Sequence, residues 1–194
     1  MRESREDAWL EVEALPGSIR EQIRNAPRVP LEIISCPLGK SVNHGGILRT
    51  AEAFRIEMVT FAHEEDHAND FSGNRGSTRW QPYRWLSPLE ALAEKPNRLK
   101  IALTLSDEAV DFATFPYRFP MALVVGSEKD GIPDEVLKHC DAHIAIPMFG
   151  LMGSLNVATA TGIVVQHMVR QYAKETGFEP IREESRQLLD IKMS

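Results

Sequence analysis

The stretch 142-AHIAIPMFGLMGSLNVATATGIVV-165 decides how the chain is read. Residues 142–147 form a short, buried-looking strand closed by Pro147. A glycine-bearing loop follows, and Ser154-Leu155-Asn156 opens an apolar helix expected from about Val157 to Tyr172. A strand-to-helix junction with polar side chains at the helix start is where open α/β sheets hold their ligands. Two other polar stretches, 43-NHGGILR-49 and 126-GSEKDGI-132, occupy junctions of the same kind upstream. Three such junctions in one small chain imply a single site along one edge of a sheet.

Outward from these junctions, strands are expected at 31-LEIISC-36, about 57–62, 83-YRWL-86, 99-LKIALTL-105, 120-PMALVVG-126 and 142–146. Helices are expected at 42–55, at 87–95 with Ser87 as N-cap and Pro88 behind it, at 133–140 starting on Pro133, and at 155–173. Two more are placed outside this core, at 4–25 with a break near Pro16-Gly17-Ser18, and at 181–191. Between Leu105 and Pro120 the sequence offers only an acidic stretch with Val110, Phe112 and Phe115. Strands alternating with helices predict an α/β fold, a mostly parallel sheet with helices on both faces.

A chain of 194 residues with 43% hydrophobic residues is large enough for one well-packed domain. No apolar run approaches the roughly 20 residues that span a bilayer, and the charged N-terminus has no apolar signal region. Cys36 and Cys140 are widely spaced and fit reduced thiols, so the expected compartment is the cytoplasm. The net charge of −6 opposes nucleic-acid binding unless basic residues cluster. They do cluster: Arg75, Arg79, Arg84, Lys95, Arg98 and Lys100 face only Glu90 and Glu94 between Asn74 and Lys100. Within that stretch Arg75, Arg79 and Arg84 alternate with Trp80, Tyr83 and Trp85. Arginines that hold phosphates beside aromatics that stack on bases suit unpaired RNA; the tryptophans equally suit a core.

Two motifs point to other chemistries and are set aside. His63-Glu64-Glu65-Asp66-His67 matches the zinc-protease pattern but leaves a strand for a polar loop with no apolar helical face, and no metal site is expected. Gly126 to Gly131 has phosphate-loop spacing, but it continues Ile132-Pro133 instead of Lys-Ser/Thr. No Gly-x-Gly-x-x-Gly follows the first strand, which removes the dinucleotide fingerprint. Asn43 and Arg49 are six residues apart, so on a helix they fall on different faces.

Taken together, N43-x-G-x-x-x-R49, G126-x-E128-x-x-G131 and I146-P-M-x-G150-x-x-x-S154-L-N156-V-A resemble the three signature motifs of the SPOUT superfamily. Within it they are most similar to the TrmH-type RNA 2′-O-ribose methyltransferases. Further similarity at 103-LTLSDEAVDF-112 points to the subgroup acting on guanosine 18 of the tRNA D-loop. The resemblance implies a deep trefoil knot within about 120–173, inside a methyltransferase domain over 31–173. Helical extensions over 1–30 and 174–194 would flank that domain. It implies S-adenosylmethionine as cofactor, leaving as S-adenosylhomocysteine, with Leu103, Gly126, Ile146 and Leu155 against it. It assigns Arg49, Asn43, Glu128, Ser154 and Asn156 to catalysis. Arg49 would act as proton acceptor assisted by the RNA phosphate, or as an electrostatic clamp. The implied partners are RNA, tRNA ahead of rRNA, bound through Arg75, Arg79 and Arg84, and a second copy in a homodimer. The rival of a different class is a non-catalytic RNA-binding or assembly factor with the same fold.

Overall fold

A computed structural model describes residues 21, 24–63 and 71–179. Seven strands form one sheet: β1 (Val29–Ser35), β2 (Ile56–Phe61), β3 (Tyr83–Trp85), β4 (Leu99–Leu103), β5 (Val110–Asp111), β6 (Met121–Val125) and β7 (Ala142–Ala145). Their spatial order is β3-β2-β1-β6-β4-β7-β5, and every pairing among them is parallel. The helices are α1 (Ser41–Ala53), α2 (Pro88–Glu94), α3 (Asp134–Leu137) and α4 (Val157–Thr176). The expected helix at 4–25 lies largely, and the one at 181–191 entirely, outside the described residues, as do Glu64 to His67 of the zinc-like motif.

The sheet is covered on both faces, as the alternation predicts. Ile33, Phe61, Ile101, Leu123 and Ile144 point to one face, where they pack with Ile47 and Leu48 of α1 and Val164, Val165 and Met168 of α4. Ile34, Ala102, Ala122 and Val124 point to the other, beneath Ala91 and Leu92 of α2 and Val136 of α3. Central β6, Met-Ala-Leu-Val-Val, is buried at every position, the continuous apolar reading expected of a strand covered on both sides.

Local chemistry sets the helix ends. Ser87 and Glu90 form a reciprocal capping box ahead of α2, with Pro88 at its first position. Asn156 caps α4 by accepting from the Thr159 N–H at 3.2 Å, and Gly177, at φ 72°, ends it. That helix therefore runs three residues past the expected end at 173. Pro133 precedes α3 as its N-cap, and the helix is a single turn, shorter than the predicted 133–140. β5 is the element that sequence reading misses: two exposed residues carry no periodicity.

Alpha helix α1 holds two glycines, each costing about 1 kcal/mol of helix propensity. Both are there for close approach. A Cβ on Gly45 would stand 2.0 Å from the Ser72 carbonyl oxygen, and one on Gly46 would stand 2.8 Å from the Ala158 Cβ. The second contact seats α4 directly on α1.

The basic stretch folds mostly inward. Glu32 is 1% exposed in the middle of β1 and is held by Thr60 Oγ1 at 2.6 Å, Arg84 at 3.0 Å and Lys95 at 3.1 Å. Arg84 also donates to Glu94 at 2.6 Å, and Arg98 pairs with Glu57 at 2.6 Å. The guanidinium of Arg84, expected to contact RNA, is turned onto two carboxylates, a pairing that ties β1, β3 and α2 together.

Candidate active site

Between β1 and β6 the strand order reverses, and the chain runs outward from β1 through β2 and β3 on one side. Such a reversal opens a crevice at the carboxyl ends of the strands. All three polar junctions reach it: α1 follows β1, 126–132 follows β6, and 146–156 follows β7. Beside them lies a cavity of about 340 Å³, within the roughly 300–1,000 Å³ usual for small-molecule sites. Leu103, Gly126, Ile146 and Leu155, the four expected cofactor contacts, all line it.

Gly126 shows why the loop needs bare backbone. A Cβ there would stand 2.0 Å from the Gly131 carbonyl oxygen and 2.6 Å from the Ile132 nitrogen, so the loop closes on itself only over glycine. The Gly131 N–H donates to the Ser127 carbonyl at 3.0 Å, sealing that closure. The lining combines apolar Leu103, Ile146 and Leu155 with polar Thr104, Ser127 and Glu128.

Glu128, at the cavity rim, is the hub of the polar cluster. Its carboxylate accepts from Asn156 Nδ2 at 2.6 Å, from the Val157 N–H at 3.2 Å and from Asn43 Nδ2 at 3.4 Å. Asn156 Nδ2 also donates to Asn43 Oδ1 at 2.8 Å. Burial pushes the Glu128 carboxyl upward, but donors from its own N–H, Val157 and Asn156, with the charge of Lys40, outweigh it and hold the group below the usual value. From the second junction it fastens Asn43 of the first and Asn156 and Val157 of the third.

The other expected site residues are placed differently. Ser154 lines the cavity and is exposed. Arg49 lies on the solvent side of α1, outside the cavity lining, and its side chain makes no hydrogen bond or ion pair among the described residues. On the helical wheel it falls between Gly45, against Ser72, and Gly46, against Ala158. Arg75, in a left-handed conformation at φ 52°, and Arg79 are exposed on the 71–80 segment that abuts α1. Thr104, Leu105, Lys129 and Met148 also line the cavity and were missed; only adjacency to Leu103, Glu128 and Ile146 could have flagged them.

Residues 30–166 match the model of the SpoU rRNA Methylase family, more than half of the chain. The chain belongs to this family. A SpoU-family relative, the tRNA (guanosine(18)-2′-O)-methyltransferase of Aquifex aeolicus, is 34% identical over 137 residues, which cover 66% of this chain and 64% of that protein. The crystal structure of the A. aeolicus TrmH/SpoU tRNA modifying enzyme superposes with a TM-score of 0.75 at 27% identity, over 89% of this chain and 92% of that one. An AdoMet-bound rRNA methyltransferase from Sinorhizobium meliloti superposes with a TM-score of 0.66 at 25% identity, over 77% of this chain and 60% of that one. The α/β architecture of the SpoU family thus extends across nearly all of the described residues, and its matched segment contains all three junctions.

Proposed function

We propose that the protein transfers a methyl group from S-adenosylmethionine to a ribose 2′-hydroxyl of RNA. tRNA is the favoured substrate, with guanosine 18 of the D-loop as its target. The observation that carries the reading is the Glu128 hub, which joins Asn43 and Asn156 beside a cavity lined by all four expected cofactor contacts. An assembly factor that keeps only the fold has no need of that constellation. The guanosine-18 target rests on the name of the Aquifex relative; the Sinorhizobium protein keeps rRNA as the second reading.

When bound, S-adenosylmethionine supplies an electrophilic methyl on a sulfonium, and a neutral thioether leaves. The residues here bind and align. Leu103, Ile146 and Leu155 would pack against the cofactor and keep water from it, and Gly126 would let the 126–132 main chain approach it. Alignment alone supplies about 7–11 kcal/mol in well-positioned reactions. Arginine stays protonated under ordinary conditions, so Arg49 best serves as a clamp on the RNA phosphate and a stabiliser of the developing alkoxide. Arg75 and Arg79 hold RNA phosphates along the neighbouring edge.

The reading includes a homodimer and a trefoil knot. Phe149 and Leu151 are fully exposed beside the cavity, and Met152 is 77% exposed, an apolar run that a second copy would cover. Support for the knot comes from the chain's route: β6 inserts between β1 and the earlier β4, and after β7 the chain returns across the sheet edge to α1. The proposed domain over 31–173 then holds the whole site, flanked by the two extensions.

The deciding experiment incubates the purified protein with labelled S-adenosylmethionine and unmodified total RNA, then maps the modified nucleotide. A 2′-O-methyl at guanosine 18 of tRNA is expected. Label on a base atom, or none despite cofactor binding, would overturn the reaction assigned here.

A further inference from the structure

The connection from β4 to β5 is the shortest between strands consecutive in the sequence. Leu103 pairs with Ile144 on one side of β7, and Val110 pairs with the same Ile144 on the other. Residues 104–109 must therefore carry the chain across β7 itself, where parallel strands ordinarily need a crossover of a dozen or more residues. They pass over the face opposite Ile144, the face to which His143 projects by strand alternation. Ser106 Oγ lies 3.2 Å from His143 Nδ1, and the imidazole is only 15% exposed beneath the crossing segment. The backbone is pinned on either side of this contact, by the Thr104 N–H on the Ile144 carbonyl and the Ala109 N–H on the Ser106 carbonyl, both at 3.0 Å.

The start of the same segment is a wall of the cavity. Thr104 and Leu105 line it together with Leu103, and Leu105 is itself 60% exposed, so little besides the backbone path fixes its place. Glu108, 86% exposed, brings its carboxylate to 3.9 Å from the same His143 nitrogen and adds a second, looser restraint on the far side of Ser106.

We propose that His143 is a positioning residue for the cofactor: through Ser106 it holds the 104–106 wall at the spacing the cofactor needs. This rests on the reading of the cavity as the S-adenosylmethionine site. His143 does not itself line the cavity, and its polar contacts go to Ser106 and Glu108 and not to the Asn43–Glu128–Asn156 cluster. Its removal therefore acts on cofactor affinity and leaves RNA binding and the chemical step alone.

The test is a set of variants assayed by calorimetric titration with S-adenosylmethionine and by steady-state methylation of tRNA. Ser106→Ala removes only the hydroxyl. His143→Phe keeps a ring without the hydrogen bond, and His143→Asn keeps a polar atom near the Nδ1 position. Ser106→Ala and His143→Phe should each raise Kd and KM for S-adenosylmethionine about 3- to 10-fold, the loss of one hydrogen bond. The kcat and the KM for tRNA should stay within about twofold, the double variant should be no worse than either single one, and His143→Asn should recover most of the affinity. Unchanged cofactor affinity in folded Ser106→Ala would overturn the proposal, as would equal losses in kcat and tRNA KM. Should His143→Phe fail to fold, Ser106→Ala decides alone. Wild-type protein that does not bind S-adenosylmethionine would instead sink the reading of the cavity, a separate result.

Discussion

Asn156 Nδ2 lies 2.8 Å from Asn43 Oδ1, although 113 positions of sequence separate the two residues. The same amide reaches Glu128, and the Asn156 side-chain oxygen caps α4. Asn156→Ala should therefore lose both functions at once. The missing cap costs about 1 kcal/mol, measurable by denaturant unfolding, and methylation should fall by far more than that destabilisation explains. Asn156→Asp keeps the cap but places a second carboxylate against Glu128. It should retain more stability than the alanine variant and still be inactive.

Arg49→Ala separates chemistry from architecture. Arg49 is exposed and its side chain has no hydrogen bond or ion pair among the described residues, so its removal should leave the thermal midpoint and S-adenosylmethionine affinity unchanged. Methylation should drop by about 10²–10³-fold, the scale for losing one electrostatic stabiliser. A lowered midpoint in thermal unfolding would show that the residue is structural.

The arginines of the basic stretch should divide into two classes. Arg75→Ala with Arg79→Ala should weaken RNA binding and lower the slope of its salt dependence by about 2, one unit for each phosphate contact. Arg84→Ala should do the reverse, costing about 1–3 kcal/mol of stability as Glu32 loses a charged donor, with RNA affinity unchanged. Filter-binding titrations at several salt concentrations, paired with urea unfolding, distinguish the two.

Acid sensitivity should trace to Glu32. Burial pushes its carboxyl up, yet hydrogen bonds from Thr60, Lys95 and Arg84 and the charge of Lys95 outweigh that and hold it below the ordinary value. A carboxyl lowered in the folded state contributes stability that is complete above its unfolded value, about 4.3 for Glu, and lost as pH falls through the folded one. Stability should thus decline below about pH 4.3. Glu32→Gln should be less stable at pH 7 by about 3–5 kcal/mol and show a flatter decline in acid.

Gly46 and Ala158 can be tested as a pair. Gly46→Val should cost about 1–3 kcal/mol through overpacking, and Ala158→Gly should recover part of that loss, since the contact is side chain against side chain. Gly126→Ala admits no such rescue because its obstacle is the Gly131 backbone. It should abolish cofactor binding in calorimetry.

The sheet and its covering were legible because β1, β4 and β6 are apolar runs too short for helices and are separated by capped helical patterns. The partners of Glu32 were not. Arg84 and Lys95 lie 52 and 63 positions away in sequence, and a linear charge count sees only an excess of basic residues. The 104–109 crossing escaped for a related reason: β5 is defined by its pairing with β7, and its two exposed residues have no pattern of their own. The site residues at the junctions could be read together because each sits at a fixed offset from a strand end. Thr104 and Lys129 enter the cavity through the curvature of their loops, which spacing does not encode.

The Glu128 hub also sets when the protein can first work. Glu128 itself lies in the middle third of the chain, its partner Asn43 in the first, and its partners Asn156 and Val157 in the last, where α4 is seated on Gly46. On the ribosome, the cofactor wall and the arginine helix emerge long before the residues that join them. A nascent chain that has exposed every residue up to Gly153 still has no assembled site, so on the proposed function activity should arrive in one step with the docking of α4.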